Sequence, residues 1–271
     1  MKPNKKHKDS VFTTLFNNPE AIRELYSAIE GVPIPQDVQI DINTLSNVLV
    51  RGQINDLSFT IDNRLVVLIE HQSTISENLP LRLLEKTVKY ERRFQKNLAK
   101  IPKPEFIVLY NGNESFPDHK ELRLSDAFMD VQGLKLSDNE ELPLELIVQV
   151  YNINQGHNPE MLMKSIILDS YSILISKIWE YRNSKISLEK SLRNAIQYCI
   201  DNNVLRDFLR KHGSEVFNML YGEYRIEDEI AVVKEEAREE GSAEKQKYVL
   251  DLISQGFSAD EIKTRLLQDS R

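Results

Sequence analysis

Apolar positions recur at two different periods along this chain, and the change of period marks the elements. Over residues 10–30, Phe12, Leu15, Phe16, Ile22, Leu25, Tyr26 and Ile29 return near every third or fourth position, which predicts a helix. Gly31, Pro33 and Pro35 end it. Residues 38–59 read as strand, with alternation clearest from Gln53 to Phe59. Asp62-Asn63 is a turn signal, and Leu65-Val66-Val67-Leu68-Ile69 follows without a polar break. A run with no alternation predicts a central strand covered on both faces. The two strands together predict a hairpin.

Pro80 opens a further helix that runs to about Lys100, closed by Pro102 and Pro104. Phe106 to Tyr110 is the next strand, stopped by Asn111-Gly112, and Leu144 to Tyr151 is another. The order is helix, strands, helix, strand, loop, strand, an α/β core over roughly residues 9–155. Beyond Gly156 only helical spacing is found. Asn158-Pro159-Glu160 is a helix start, residues 187–200 and 204–221 are helices, and 227–247 are dense in charge. Ser258 with Glu261 predicts a capping box on a last short helix. The expected divisions are 1–155 for the core, 156–226 for a helical accessory region and 227–271 for a charged helical tail.

Composition narrows the function classes. Of 271 residues 41% are hydrophobic and 28% charged, which excludes a mainly disordered chain. Lys and Arg number 35 against 42 Asp and Glu, a formal charge of −7, which excludes a polybasic nucleic-acid binder. An enzyme needing one local basic surface is still allowed. The single cysteine, Cys199, excludes an intrachain disulfide and multi-cysteine metal sites and fits a small core residue. His7, His71, His119, His157 and His212 have no metal-ligand spacing. The start is basic without a following apolar stretch, so no signal peptide is expected, and no apolar run approaches the length of a membrane span. A cytoplasmic location is expected.

Candidate chemistry gathers between Asp56 and Gln72. The period of two puts Glu70 and Gln72 on one side of their strand and His71 on the other. A hairpin can bring Asp56 beside Glu70. Two carboxylates and a backbone carbonyl make a hard-oxygen site suited to Mg²⁺ or Mn²⁺. Acids at strand ends also occur as solvated turn flanks. Downstream, Arg82, Lys86, Lys89, Arg93, Lys96 and Lys100 are spaced 4, 3, 4, 3 and 4 apart and form one stripe on a helix. The stripe is either the solvated face of an amphipathic helix or a track for a phosphate backbone.

The run Leu68-Ile69-Glu70-His71-Gln72-Ser73, followed by Leu79-Pro80-Leu81-Arg82-Leu83-Leu84, resembles the recombination-promoting nuclease family, transposase-like members of the PD-(D/E)XK superfamily. Asp9-Ser10-Val11-Phe12-Thr13-Thr14-Leu15-Phe16 is similar to that family's N-terminal motif, and the likeness spans about residues 9–125. Gln72 stands where the superfamily more often has lysine. The resemblance implies a restriction-endonuclease-like core with a mixed central sheet, followed by an all-helical C-terminal region. It implies a DNA endonuclease using Mg²⁺, with Mn²⁺ as a substitute, that promotes recombination or transposition-like events. Asp56, Glu70 and the His71 carbonyl would hold the metal. Gln72 would orient water or meet the phosphate. Arg82, Lys86, Lys89, Arg93 and Lys96 would contact DNA. Asp9 is a supporting acid or a helix cap, and Glu24 a supporting acid or a solvated one. Assembly through the C-terminal helices is expected, and no membrane partner. The rival readings are a catalytically degenerate nuclease fold that serves interaction, and a metal-dependent RNase.

Overall fold

A computed structural model describes residues 10–42, 56–84, 102–129, 144–239, 243–258, 261–263 and 265, with the backbone alone at 56, 226, 227, 229–239 and 243–247. Ser10 accepts from the Thr13 N–H at 3.1 Å and starts α1, Val11–Leu15. Asn18 Oδ1 accepts from the Ala21 N–H at 2.8 Å and starts α2, Pro19–Glu30. The single helix expected over 10–30 is therefore two. Pro19 has no N–H to continue α1, and it sits at the first helical position of α2, where none is needed.

The strands are β1 (Ile40–Ile42), β2 (Asp56–Ile61), β3 (Leu65–Gln72), β4 (Lys103–Tyr110), β5 (His119–Arg123) and β6 (Ile147–Asn152). They form one six-stranded sheet in the order β1-β2-β3-β4-β6-β5. β3 is antiparallel to β2 and parallel to β4, and β4 is parallel to β6, so the sheet is mixed. The β2–β3 turn has Asp62 at φ 48° and Asn63 at φ 53°, both left-handed as a type I′ turn requires. Asp and Asn tolerate that region better than most residues. Pro104 is accommodated inside β4. The Lys103 N–H faces β3, reaching Arg64 O at 2.9 Å, so the Pro104 nitrogen faces the β6 side. There the pairing begins only at Phe106, and no bond is lost.

β3 lies between two apolar layers, which is why its sequence does not alternate. Val67 and Ile69 pack with Phe12, Leu25, Leu168, Tyr171 and Leu174. Leu68 packs on the other face with Leu79, Leu83, Val108 and Val150. Each such side chain contributes about 1.5–3 kcal/mol when fully buried. Residues 79–84 form helix α3 on this second face.

The remaining helices are α4 (Pro159–Lys164), α5 (Ile166–Asn183), α6 (Leu188–Asp201), α7 (Arg206–Glu239) and α8 (Ala243–Ser254). The first layer runs continuously from Val11 to Tyr224, so residues on both sides of 155 build it. Asn158 precedes α4 at φ 42° without a side-chain cap. Its amide instead donates to Asp118 O and Asn152 O, holding the loops at the end of β6. Ser258 and Glu261 form the expected capping box, with the Ser258 N–H at 2.9 Å from Glu261 Oε2. Among the described residues, no helix is long and apolar enough to cross a membrane.

Candidate functional site

The end of β3 carries three consecutive residues with different surroundings. Glu70 is buried, at 3% exposure. Gln72 is on the same face and its Nε2–H donates to Glu70 Oε2 at 2.5 Å. Asp56 is paired directly with Glu70 in the antiparallel register, so both residues belong to one face of the sheet. The hairpin register sets Asp56 opposite Glu70, and Glu70 and Gln72 share a face as the period of two predicts.

The backbone adds a fourth group. The Arg64 and Gln72 carbonyls both accept from β4, from Lys103 N–H at 2.9 Å and Asn111 N–H at 3.1 Å. Carbonyls alternate along a strand, so that of His71 turns to the β2 side, next to the Asp56–Glu70 pair. Two carboxylate residues and a peptide carbonyl are hard-oxygen donors, a set that fits Mg²⁺ or Mn²⁺. Among the described residues, no group of three or more His, Cys, Asp and Glu side chains could hold a metal. A centre here therefore depends on the backbone oxygen and on Asp56.

The His71 ring points the other way. It stacks on Phe12 with ring centres 5.1 Å apart and meets the edge of Tyr171 at 5.2 Å. His71 Nε2 and the Tyr171 hydroxyl share a hydrogen bond of 3.1 Å. Burial pushes the imidazole down from 6.5 to about 4, so it is neutral at physiological pH. The neutral ring packs against Phe12 and Tyr171.

The neighbouring strand end is packed tightly against this one. A Cβ on Gly112 would lie 1.8 Å from Ser73 O, so only glycine lets the two chains pass. Asn154 Nδ2–H donates to Gly112 O at 3.0 Å and ties in the segment after β6. The sequence marks Asn111-Gly112 as a turn, but its closeness to Ser73 is a long-range contact without a local signal. Tyr171 carries no local signal either, since it lies in the helical half, a hundred positions from its partner.

Other expected residues stand elsewhere. Arg82 is on α3 and partly exposed. Lys86, Lys89, Arg93, Lys96 and Asp9 lie outside the described residues; the cap of α1 is Ser10. Glu24 is not beside Glu70. It sits on α2, in the opposite layer, where Oε1 accepts from the Ile167 N–H at 3.3 Å at the start of α5. An open cleft of about 410 Å³ lies there, lined by Glu20, Arg23, Glu24, Ser27, Ile34 and Ile167 among others, and it includes no residue of the β3 end. No family model, no curated protein and no solved structure matches this chain.

Proposed function

We propose that the chain is a metal-dependent DNA endonuclease with a restriction-endonuclease-like core and a helical C-terminal region. The observation that carries the reading is the buried carboxylate of Glu70, opposite Asp56 in register and bonded to Gln72. Paired acidic residues at the carboxyl end of a central strand lie where open α/β sheets bind ligands. The mixed sheet, with antiparallel β2 and parallel β4 on either side of β3, supports the same reading.

Asp56, Glu70 and the His71 carbonyl would hold Mg²⁺ or Mn²⁺. A bound ion of this type supplies a more acidic water and stabilises charge on a phosphate. The chain's own part is to hold its oxygens in place. Gln72 restrains the Glu70 carboxylate through its amide. It is uncharged, so it gives a phosphate a hydrogen-bond donor and no cation. The stripe of Arg82, Lys86, Lys89, Arg93 and Lys96 would hold the nucleic-acid backbone through charge, despite the negative total. Assembly through the C-terminal helices and a part in recombination or transposition-like events belong to the same proposal.

The test is incubation of the full chain with supercoiled plasmid and with matched RNA, each with Mg²⁺, Mn²⁺ or EDTA. Nicking of the plasmid that EDTA stops is the expected result. Cleavage of RNA alone would replace DNA by RNA as substrate. Cleavage of neither overturns the reading and leaves a nuclease-like fold used for interaction.

A further inference from the structure

We propose that Tyr171 is a positioning residue for the end of β3, acting through His71. The inference rests on the metal-site reading above. His71 is the one residue between Glu70 and Gln72, and its carbonyl is the proposed backbone ligand. Its ring lies across the sheet from both. The direction of that ring and the tilt of the peptide are coupled through one Cα, so a clamp on the ring limits the carbonyl as well.

The clamp is built from three contacts: the Phe12 stack, the Tyr171 edge and the 3.1 Å bond between the Tyr171 hydroxyl and His71 Nε2. Tyr171 is only 1% exposed, and a buried hydroxyl makes a directional contact that an apolar side chain cannot replace. The same helix reaches the adjacent strand end. Trp179 Nε1–H donates to Asn111 O at 3.4 Å, and the Asn111 N–H donates to Gln72 O at 3.1 Å. α5 thus grips the ends of β3 and β4 from the face opposite Glu70.

The test compares the full-length wild type with Tyr171→Phe, which keeps the ring and removes the hydroxyl. Leu174→Ala serves as the control, since it destabilises the same helix and leaves the Tyr171–His71 hydrogen bond in place. Three readouts are taken: the amide shifts of Glu70 to Gln72 by NMR, Mn²⁺ affinity by calorimetry, and single-turnover cleavage at saturating plasmid. Tyr171→Phe is expected to shift those amides and to weaken Mn²⁺ binding about 2–10-fold, the range one net hydrogen bond allows. Its cleavage rate should fall with plasmid affinity unchanged. Leu174→Ala should lower the melting temperature and leave Mn²⁺ affinity as in wild type. Unmoved amides in Tyr171→Phe, unchanged Mn²⁺ affinity, or an equal loss in Leu174→Ala would each overturn the inference. A wild type that binds no Mn²⁺ overturns the metal site instead, and the amide shifts then decide alone whether Tyr171 positions the strand end.

Discussion

Gln72 restrains Glu70 directly: its side-chain Nε2 lies 2.5 Å from Glu70 Oε2, on the face of β3 away from His71. The two side chains therefore have separable tasks. Glu70→Ala and Asp56→Ala each remove a carboxylate, so both should lose Mn²⁺ affinity and most cleavage. Gln72→Ala should keep metal binding and lose about 10²–10³ in rate, the usual cost of one placed donor. Gln72→Lys restores a donor and adds a cation beside Glu70, so it should retain more activity than the alanine variant. Calorimetry with Mn²⁺ and single-turnover cleavage for all four variants check this. Wild-type behaviour in Glu70→Ala would remove Glu70 from the site.

Gly112 and Gly213 should respond to alanine in opposite ways. A Cβ at Gly112 would meet the Ser73 carbonyl at 1.8 Å, a backbone atom that cannot swing aside. Overpacking of this kind costs about 1–3 kcal/mol or more. Gly213 lies within α7 and has nothing within 4 Å of its Cβ position. There alanine should stabilise by up to about 1 kcal/mol through helix propensity. Urea unfolding of both variants measures the contrast. A Gly112→Ala protein as stable as wild type would show that β3 and β4 end farther apart than described.

The class of fold and the pairing at the candidate site are legible because they depend on short-range periods. The unbroken run from Leu65 to Ile69 signals a doubly covered strand, and a period of two separates Glu70 and Gln72 from His71. β5 is not legible. In His119-Lys120-Glu121-Leu122-Arg123 only Leu122 is buried, because the strand pairs with β6 alone at the edge of the sheet. Charged side chains on an edge strand discourage further pairing and also hide the strand from a hydrophobic pattern. The break between α1 and α2 falls at Asn18-Pro19, and the apolar spacing carries across it and hides it. The contacts of Tyr171 and Trp179 with the strand ends join segments that are distant in sequence, and no local pattern encodes them.

Cys199 should resist thiol reagents until the chain unfolds. It is fully buried in α6, and burial pushes its thiol up to about 12. At pH 8 a thiol of that kind is thiolate in only about one molecule in 10⁴, and the thiolate is the reactive form. Labelling by a disulfide reagent should therefore follow the fraction unfolded as urea is raised. Complete reaction within minutes in native buffer would place Cys199 outside the core.

Glu30 gives a pH effect of defined sign. Desolvation raises its carboxyl above 4.5, the charge of Glu105 raises it further, and contacts with Tyr26 and Lys103 oppose these. The Tyr26 hydroxyl donates to Glu105 Oε2 at 2.5 Å, which keeps that second carboxylate close by. A raised folded value means that the native state holds the proton more firmly than the unfolded chain. Its favourable contribution is complete below pH 4.5 and is lost as pH rises through the folded value, so at pH 7 the ionised group is a burden. Glu30→Gln removes the charge and keeps a carbonyl that can accept from Tyr26. It should stabilise the protein at pH 7, by less than about 1 kcal/mol because the side chain is open to solvent. Near pH 3, where Glu30 is protonated in both states, the variant should match wild type. Unfolding free energies at the two pH values measure the difference, and a gain at pH 3 equal to that at pH 7 would show that charge is not its origin.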